Sequence, residues 1–182
     1  MNPSLATLSD RSAELITTYQ AVRDDVDTVI KILRSYPHNE SFYKDLRQKQ
    51  PRTPHTQAAR MIYLNKTAFN GIYRVNRAGQ FNVPFGDFKN PTICNEERLR
   101  AASERLANVE LRIADFGEAL EDVAAGDFVY LDPPYITGHQ NNGFLKYNAS
   151  LFSWEDQIRL AALARELAER GATVVVSNSD HP

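Results

Sequence analysis

From Ala13 to Leu33 the apolar positions Leu15, Ile16, Tyr19, Val22, Val26, Val29, Ile30 and Leu33 recur every three or four residues. That is the period at which side chains line one face of an α-helix. The spacing predicts one amphipathic helix, capped by Asp10 or Ser12 and ended by the segment around Pro37. In the polar run DLRQKQPRTPHTQ that follows, Pro51 and Pro54 predict an exposed connection, after which AARMIYLNKTAF returns to a helical pattern. GIYRVNRAGQFNVPFG then sets Asn-Arg-Ala-Gly between two short alternating runs. This predicts a β-hairpin or looped ribbon with Arg74 and Arg77 near its tip.

Beyond Pro91 the pattern changes to an alternation of helix and strand. NEERLRAASERLA reads as a helix, NVELRIA as a strand running up to Asp115, FGEALEDV as a short helix and DFVYL as a strand ending at Asp132. SWEDQIRLAALARELAERG opens on a Ser153/Asp156 capping box and stops at Gly171, with a further strand in ATVVVSNSD. Strands separated by helices of this length predict parallel βαβ units, hence a doubly wound α/β sheet. There is no internal repeat and no low-complexity tract.

At 182 residues the chain is long enough for one sizeable core, and its 42% hydrophobic and 24% charged composition is that of a globular protein. No apolar run reaches membrane-spanning length and the N-terminus lacks a secretion-signal pattern, so the expectation is a cytoplasmic protein. A single cysteine, Cys94, excludes an intramolecular disulfide and a cysteine-cluster zinc site. The four histidines, His38, His55, His139 and His181, are too scattered to predict a metal site. Charge changes the picture more. Residues 44 to 89 hold nine Lys or Arg against two acids, a net +7, which leaves −9 for the rest of a chain whose total is −2. A basic module in an acidic body is either a polyanion-binding surface or a solvated face of uneven composition.

In a doubly wound sheet ligands gather beyond the carboxyl ends of the strands. Three such ends are polar here: Asp115-Phe116, Asp132-Pro133-Pro134-Tyr135 and Ser177-Asn178-Ser179-Asp180. Each proline removes a donor and fixes φ, so the chain leaves the strand DFVYL in a stiff, extended turn with its carbonyls available as acceptors. A carboxylate beside such a carbonyl gives two acceptors for a group with two N–H donors, an amine, and Tyr135 offers a flat face for a planar ring. The alternative is a tight strand-exit turn capped by its Asp.

The acid-Pro-Pro-aromatic tetrapeptide resembles the motif of amino-methylating methyltransferases. YLNKTAFNGIYRVNRAGQFNVPFG is similar to the target-recognition region of the Dam-like DNA adenine N6-methyltransferases, and GDFVYLDPPY and SNSD follow in that family's order. The resemblance covers most of residues 8 to 182. It implies a Rossmann-like methyltransferase sheet, here incomplete, with an inserted, mainly helical target-recognition domain carrying the hairpin. Residues 1–36 and 93–182 would form the catalytic domain and 37–92 the insertion. It also implies S-adenosylmethionine as cofactor, double-stranded DNA as partner, and methylation of adenine N6 in a GATC-like sequence after base flipping.

By resemblance, Asp132 and the Pro133 carbonyl would accept from the adenine amino group, with Pro134 completing the turn and Tyr135 stacking on the base. Asp10 would bind the cofactor ribose, and Asp115 and Phe116 would flank its adenine. Arg74 would read a guanine edge, or else contact a phosphate. Phe69 would enter the base stack, or else belong to the core, and Ile72 and Pro84 would touch a thymine methyl. Lys66, Asn70, Asn76, Asn82 and Lys89 would position the backbone. Asp87 stands where relatives often carry a basic residue, and Arg11-Ser12 where they usually carry Ile-Asn. Only nine residues precede Asp10, without the family's Gly-rich cofactor loop, and the chain stops after SNSDHP. The expectation is therefore the middle of a methyltransferase, truncated at both ends. The alternatives are an inactive DNA-binding remnant and a methyltransferase for amino groups of RNA or protein.

Overall fold

A computed structural model describes residues 3, 5–76, 78–134 and 152–178. The chain divides into two compact units, residues 1–114 and 115–182. In unit 1, strand β1 (Ala6–Asp10) runs parallel to β2 (Val109–Ile113), with Ala6 opposite Val109 and Asp10 opposite Ile113. The predicted helix over 13–33 is two helices, α1 (Ala13–Asp24) and α2 (Val26–Arg34). Asp25 divides them because its backbone is non-helical and its carboxylate accepts from the Thr28 amide at 3.1 Å, capping α2. The apolar spacing runs on across the break because Val22, Val29 and Leu33 enter one core. Ser12, not Asp10, caps α1 by accepting from the Leu15 amide at 3.3 Å.

The predicted exposed connection is partly helical. Asn39 caps α3 (Glu40–Gln48), which contains the residues DLRQ. Pro54 starts α4 (Pro54–Thr67) instead of interrupting a helix, because a first-turn residue has no intrahelical use for the N–H that proline lacks. Thr53 and Thr56 complete that end as a reciprocal cap. Pro51 lies between α3 and α4, as expected of a breaker.

Tyr43, Tyr63, Leu64, Ala58 and Val29 are fully enclosed in the core of unit 1. The two tyrosines keep their hydroxyls satisfied at the edge of this core. Tyr43 donates to the Val83 carbonyl at 2.9 Å and Tyr63 to the Pro37 carbonyl at 2.9 Å. After a short 3-10 turn at Phe69–Gly71, the described residues 72–76 and 78–86 form a looped ribbon, not a continuous hairpin ladder. Only isolated antiparallel bridges join Val75 to Phe81 and Ala68 to Phe85 among the described residues. Gly86 is tightly enclosed: a Cβ there would lie 2.9 Å from the Ala68 carbonyl oxygen. α5 (Glu96–Leu106), capped by Asn95, leads into β2.

Unit 2 begins with Asp115 capping a single turn, α6 (Phe116–Ala119). Strand β3 (Phe128–Leu131) pairs in parallel with β4 (Thr173–Val176), and α7 (Trp154–Glu169) connects back to β4. The Ser153/Asp156 capping box forms as predicted. Gly171 has φ +95°, the left-handed conformation that ends the helix. Val129, Leu131, Phe152, Leu160 and Leu167 form the core. On the other face of β3, Phe128 and Tyr130 remain 67% and 58% exposed. The doubly wound sheet expected from the alternation is thus represented by two separate two-stranded parallel pairs among the described residues. The fold is mixed α/β with small parallel sheets. Strand β1, which the periodicity did not reveal, is too short and too polar for its pattern to stand out.

Candidate functional site

The corner after β3 forms at the carboxyl end of a parallel pair. Because Leu131 stands opposite Val176, Asp132 and Ser177 leave the pair at the same edge. The Ser177 amide extends the pairing by donating to the Leu131 carbonyl at 2.8 Å. Pro133 is buried, while Asp132 and Pro134 are exposed. Tyr135, Ser179 and Asp180 lie outside the described residues, as does Arg77.

Asp115, also in unit 2, is densely bonded. Its Oδ1 accepts from the Gly117 amide at 3.0 Å and from Arg159 Nη1 at 2.6 Å, and its Oδ2 accepts from Arg159 Nη2 at 3.0 Å. The same guanidinium lies 4.0 Å from the centroid of the Phe116 ring, a cation–π contact, and Phe116 packs obliquely against Phe152. Bonds to Asp115 and Asp156 push the Arg159 pKa further above its ordinary value. The Ser153 amide, and then Arg159, hold the Asp156 carboxyl below the usual carboxylate range. Arg159 is a residue that sequence reasoning missed. Its partner is 44 positions away, and only the i,i+3 spacing to Asp156 is a local signal.

In unit 1, Asp10 closes β1 with an exposed carboxylate whose Oδ1 accepts from the Ser12 amide at 2.6 Å. This arrangement fits a diol, since one oxygen is anchored by the turn and the residue is exposed. Asp115 and Phe116 fit an adenine less directly, since the carboxylate is already saturated and one ring face lies under Arg159.

The candidate base-reading residues are spread along α4 and the ribbon. Lys66, Asn70, Asn76, Asn82, Pro84 and Lys89 are exposed. Phe69 is 50% exposed, whereas Ile72 packs against the core. Asn70 holds φ +53°, which an asparagine tolerates better than most residues. Arg74 donates from Nε to Asn82 Oδ1 at 2.8 Å, so the two are one preset pair. The Asn76 side chain builds the ribbon turn, accepting from the Ala78 and Gln80 amides at 3.0 Å each. The Pro84 carbonyl accepts from the Phe69 amide at 2.9 Å, tying the two ends of the segment together.

Beneath the ribbon, a polar cavity of about 630 Å³ is lined in part by Glu14, Arg47, Arg60, Asn76, Phe81 and Asn82. Arg60 is 8% exposed and bonds to Glu14 and to the carbonyls of Leu46 and Arg47. A buried guanidinium needs such a complete set, since removing one partner of a buried pair costs about 3–5 kcal/mol. Sequence reasoning counted Arg60 only as one of the nine cations of the basic segment 44–89 and gave Glu14 no role. Their partners lie far along the chain, so no spacing revealed them.

Residues 2–182 match the family of D12 class N6 adenine-specific DNA methyltransferases. The chain belongs to that family. Similar proteins include the Type II methyltransferase M1.LlaDCHI of Lactococcus lactis subsp. cremoris, 37% identical over 190 residues that cover 99% of this chain and 67% of the relative. Type II methyltransferase M.MjaIII of Methanocaldococcus jannaschii is 38% identical over 186 residues, 94% of this chain and 64% of the relative. The DNA adenine methylase of Escherichia coli K12 is 30% identical over 185 residues, 95% of this chain and 64% of the relative. This D12-class chain therefore spans about two thirds of the length of the curated relatives it matches. No described helix is long and apolar enough to cross a membrane.

Proposed function

We propose that the whole protein transfers a methyl group from S-adenosylmethionine to adenine N6 in double-stranded DNA, at a GATC-like site, after the base is flipped from the duplex. The observation that carries this reading is the corner after β3: an exposed carboxylate and a buried proline at the carboxyl end of a parallel pair, in a chain of this family. Bound there, the cofactor supplies an electrophilic methyl on a cationic sulfonium. Asp132 and the Pro133 carbonyl accept the two amino hydrogens of the base and draw the nitrogen lone pair out of ring conjugation, which makes it nucleophilic. The flipped adenine stacks on Tyr135. Pro134 keeps the corner stiff, so the acceptors meet the amine without reorganising.

Asp10 binds the cofactor ribose. Asp115 and Phe116 flank its adenine, and Arg159 must yield or share its contacts for this to happen. Residues 37–92 form the recognition insertion, with 1–36 and 93–182 as the catalytic body. Arg74 reads a guanine edge, Phe69 fills the space left in the stack, and Ile72 and Pro84 touch a thymine methyl. Lys66, Asn70, Asn76, Asn82 and Lys89 hold the backbone. The preset Arg74–Asn82 pair supports base reading, because a fixed fork discriminates better than a free one. The protein works in the cytoplasm, where its DNA lies.

The test is methyl transfer from labelled cofactor to duplexes with and without GATC, with the full-length protein. Transfer confined to GATC-containing duplexes is the expected outcome. Transfer to RNA or a protein amine instead, or salt-sensitive DNA binding with no transfer, would replace this reading.

A further inference from the structure

Three side chains outside the proposed reading and transfer machinery form a continuous polar chain within unit 1. Arg60 on α4 donates from Nη1 to Glu14 Oε1 at 2.9 Å, and the Tyr73 hydroxyl donates to Glu14 Oε2 at 2.9 Å. Arg60 uses Nε and Nη2 on the carbonyls of Leu46, at 3.1 Å, and Arg47, at 2.8 Å, at the C-terminal end of helix α3. One carboxylate on α1 thus ties together α1, α4, the end of α3 and the start of the ribbon. Its partners are 46 and 59 residues away in sequence.

The ribbon converts this anchorage into an orientation. Val75 stands opposite Phe81, and the Asn82 amide donates to the Arg74 carbonyl at 3.0 Å, so Arg74 and Asn82 share one face. Tyr73 belongs to the opposite face, where its ring meets Phe81 with centroids 5.6 Å apart. Together with the buried Phe81 and Val83, and with the Val83 carbonyl bonded by Tyr43 and Arg47, the held Tyr73 hydroxyl helps to fix the rotation of the ribbon about its own length. That rotation sets where the Arg74 guanidinium points. A bidentate contact to a base edge loses discrimination with small angular errors, whereas a phosphate contact tolerates them.

We infer that Glu14 is a positioning residue for base reading: through Tyr73 it sets the orientation of the ribbon and hence the sequence discrimination of Arg74. This rests on the reading of Arg74 as the base reader. It also connects the ribbon to α1, whose capping residue Ser12 donates its amide to Asp10.

The test is equilibrium binding, by fluorescence anisotropy, of the full-length protein to a GATC duplex and to duplexes with its guanine replaced. Tyr73→Phe removes one hydroxyl and keeps the ring, so the fold stays intact. It should lower the ratio of specific to substituted affinity by about 3- to 10-fold, within what one hydrogen bond to a charged group supports. Glu14→Gln keeps both contacts, since its carbonyl accepts from Arg60 and its amide donates to a hydroxyl that can equally accept. It should hold the ratio within about twofold of the unsubstituted protein. Glu14→Leu, checked for folding by circular dichroism, should behave like Tyr73→Phe or worse. An unchanged ratio in Tyr73→Phe, with all duplexes weakened alike or not at all, overturns the inference while leaving the Arg74 reading in place. If the unsubstituted protein shows no preference, or Arg74→Ala leaves the preference intact, the reading of Arg74 falls and the inference falls with it.

Discussion

The two units solve the same packing problem with different completeness. Unit 1 buries Tyr43, Tyr63, Leu64, Ala58, Ala59 and Ala68 to zero exposure among several helices, and its polar groups are held by long-range hydrogen bonds from Tyr43, Tyr63 and Arg60. In unit 2 most of the core residues keep between 5% and 8% of their surface, and one face of β3 stays open at Phe128 and Tyr130. The proposed base-reading residues therefore stand on a well-enclosed scaffold. The proposed transfer corner stands on a thinner one, where a buried proline supplies the local stiffness. Precise reading needs orientation from many distant contacts, whereas a transfer corner can be made stiff by its own backbone.

The largest expected effect breaks the chemical half of this comparison. Asp132→Ala in the full-length protein should lower methyl transfer by at least about 10³-fold, about 4 kcal/mol, with DNA affinity changed little, because it removes a preorganised acceptor. Single-turnover transfer beside a binding titration would check it, and retained turnover would dismiss the assigned role. The next prediction sets the two cores against each other. Leu64→Ala should cost about 3–4 kcal/mol and Leu160→Ala about 2, since the fully enclosed site leaves the larger unrelaxed cavity. Urea unfolding followed by circular dichroism would rank them, and equal costs would mean the cores are equally well packed.

Arg74→Ala should remove about 1–3 kcal/mol of discrimination at one base position, read as a ratio of affinities over substituted duplexes. Uniform weakening on every sequence would instead mark a phosphate contact. A smaller and graded effect concerns pH. Burial pushes the Tyr43 hydroxyl up to about 12, and burial also raises Tyr63 and Tyr36. The folded state keeps protons that the unfolded chain releases near pH 10, so stability is unaffected below that value. It falls as pH rises toward 12, by about 1.4 kcal/mol per pH unit for each tyrosine still protonated. Tyr43→Phe should flatten the alkaline limb of a stability profile, leaving the acid limb unchanged. Smallest of all, Ser153→Ala should cost about 1 kcal/mol by uncapping α7, measurable as a lowered unfolding midpoint.

What was legible in the chain was local. The Ser153/Asp156 box, the strand within DFVYL and the helix stop at Gly171 follow from spacing and from what glycine does to φ, and the structure has them where the pattern put them. The break at Asp25 was hidden because apolar periodicity continues through it, and a helix-capping carboxylate looks the same in sequence as a surface one. Pro54 was read as a breaker because proline both ends and begins helices, and only the contacts of Thr53 and Thr56 tell which. The segment 72–86 was read as a hairpin or ribbon, and the structure chose the ribbon through side-chain bonds from Asn76 and Arg74 that alternation does not encode.

By itself, then, the amino-acid sequence determined most of the helices, the strands after Pro91, the Ser153/Asp156 cap and the family, because these depend on residues within a few positions or on an ordered series of motifs. Only the tertiary structure decided that Arg60 is buried, that Glu14 joins it to Tyr73, and that Arg159 occupies Asp115. Those bonds span 44 to 59 residues. Charged side chains find such partners through the packing of the helices that carry them, and no local pattern records which helices will meet.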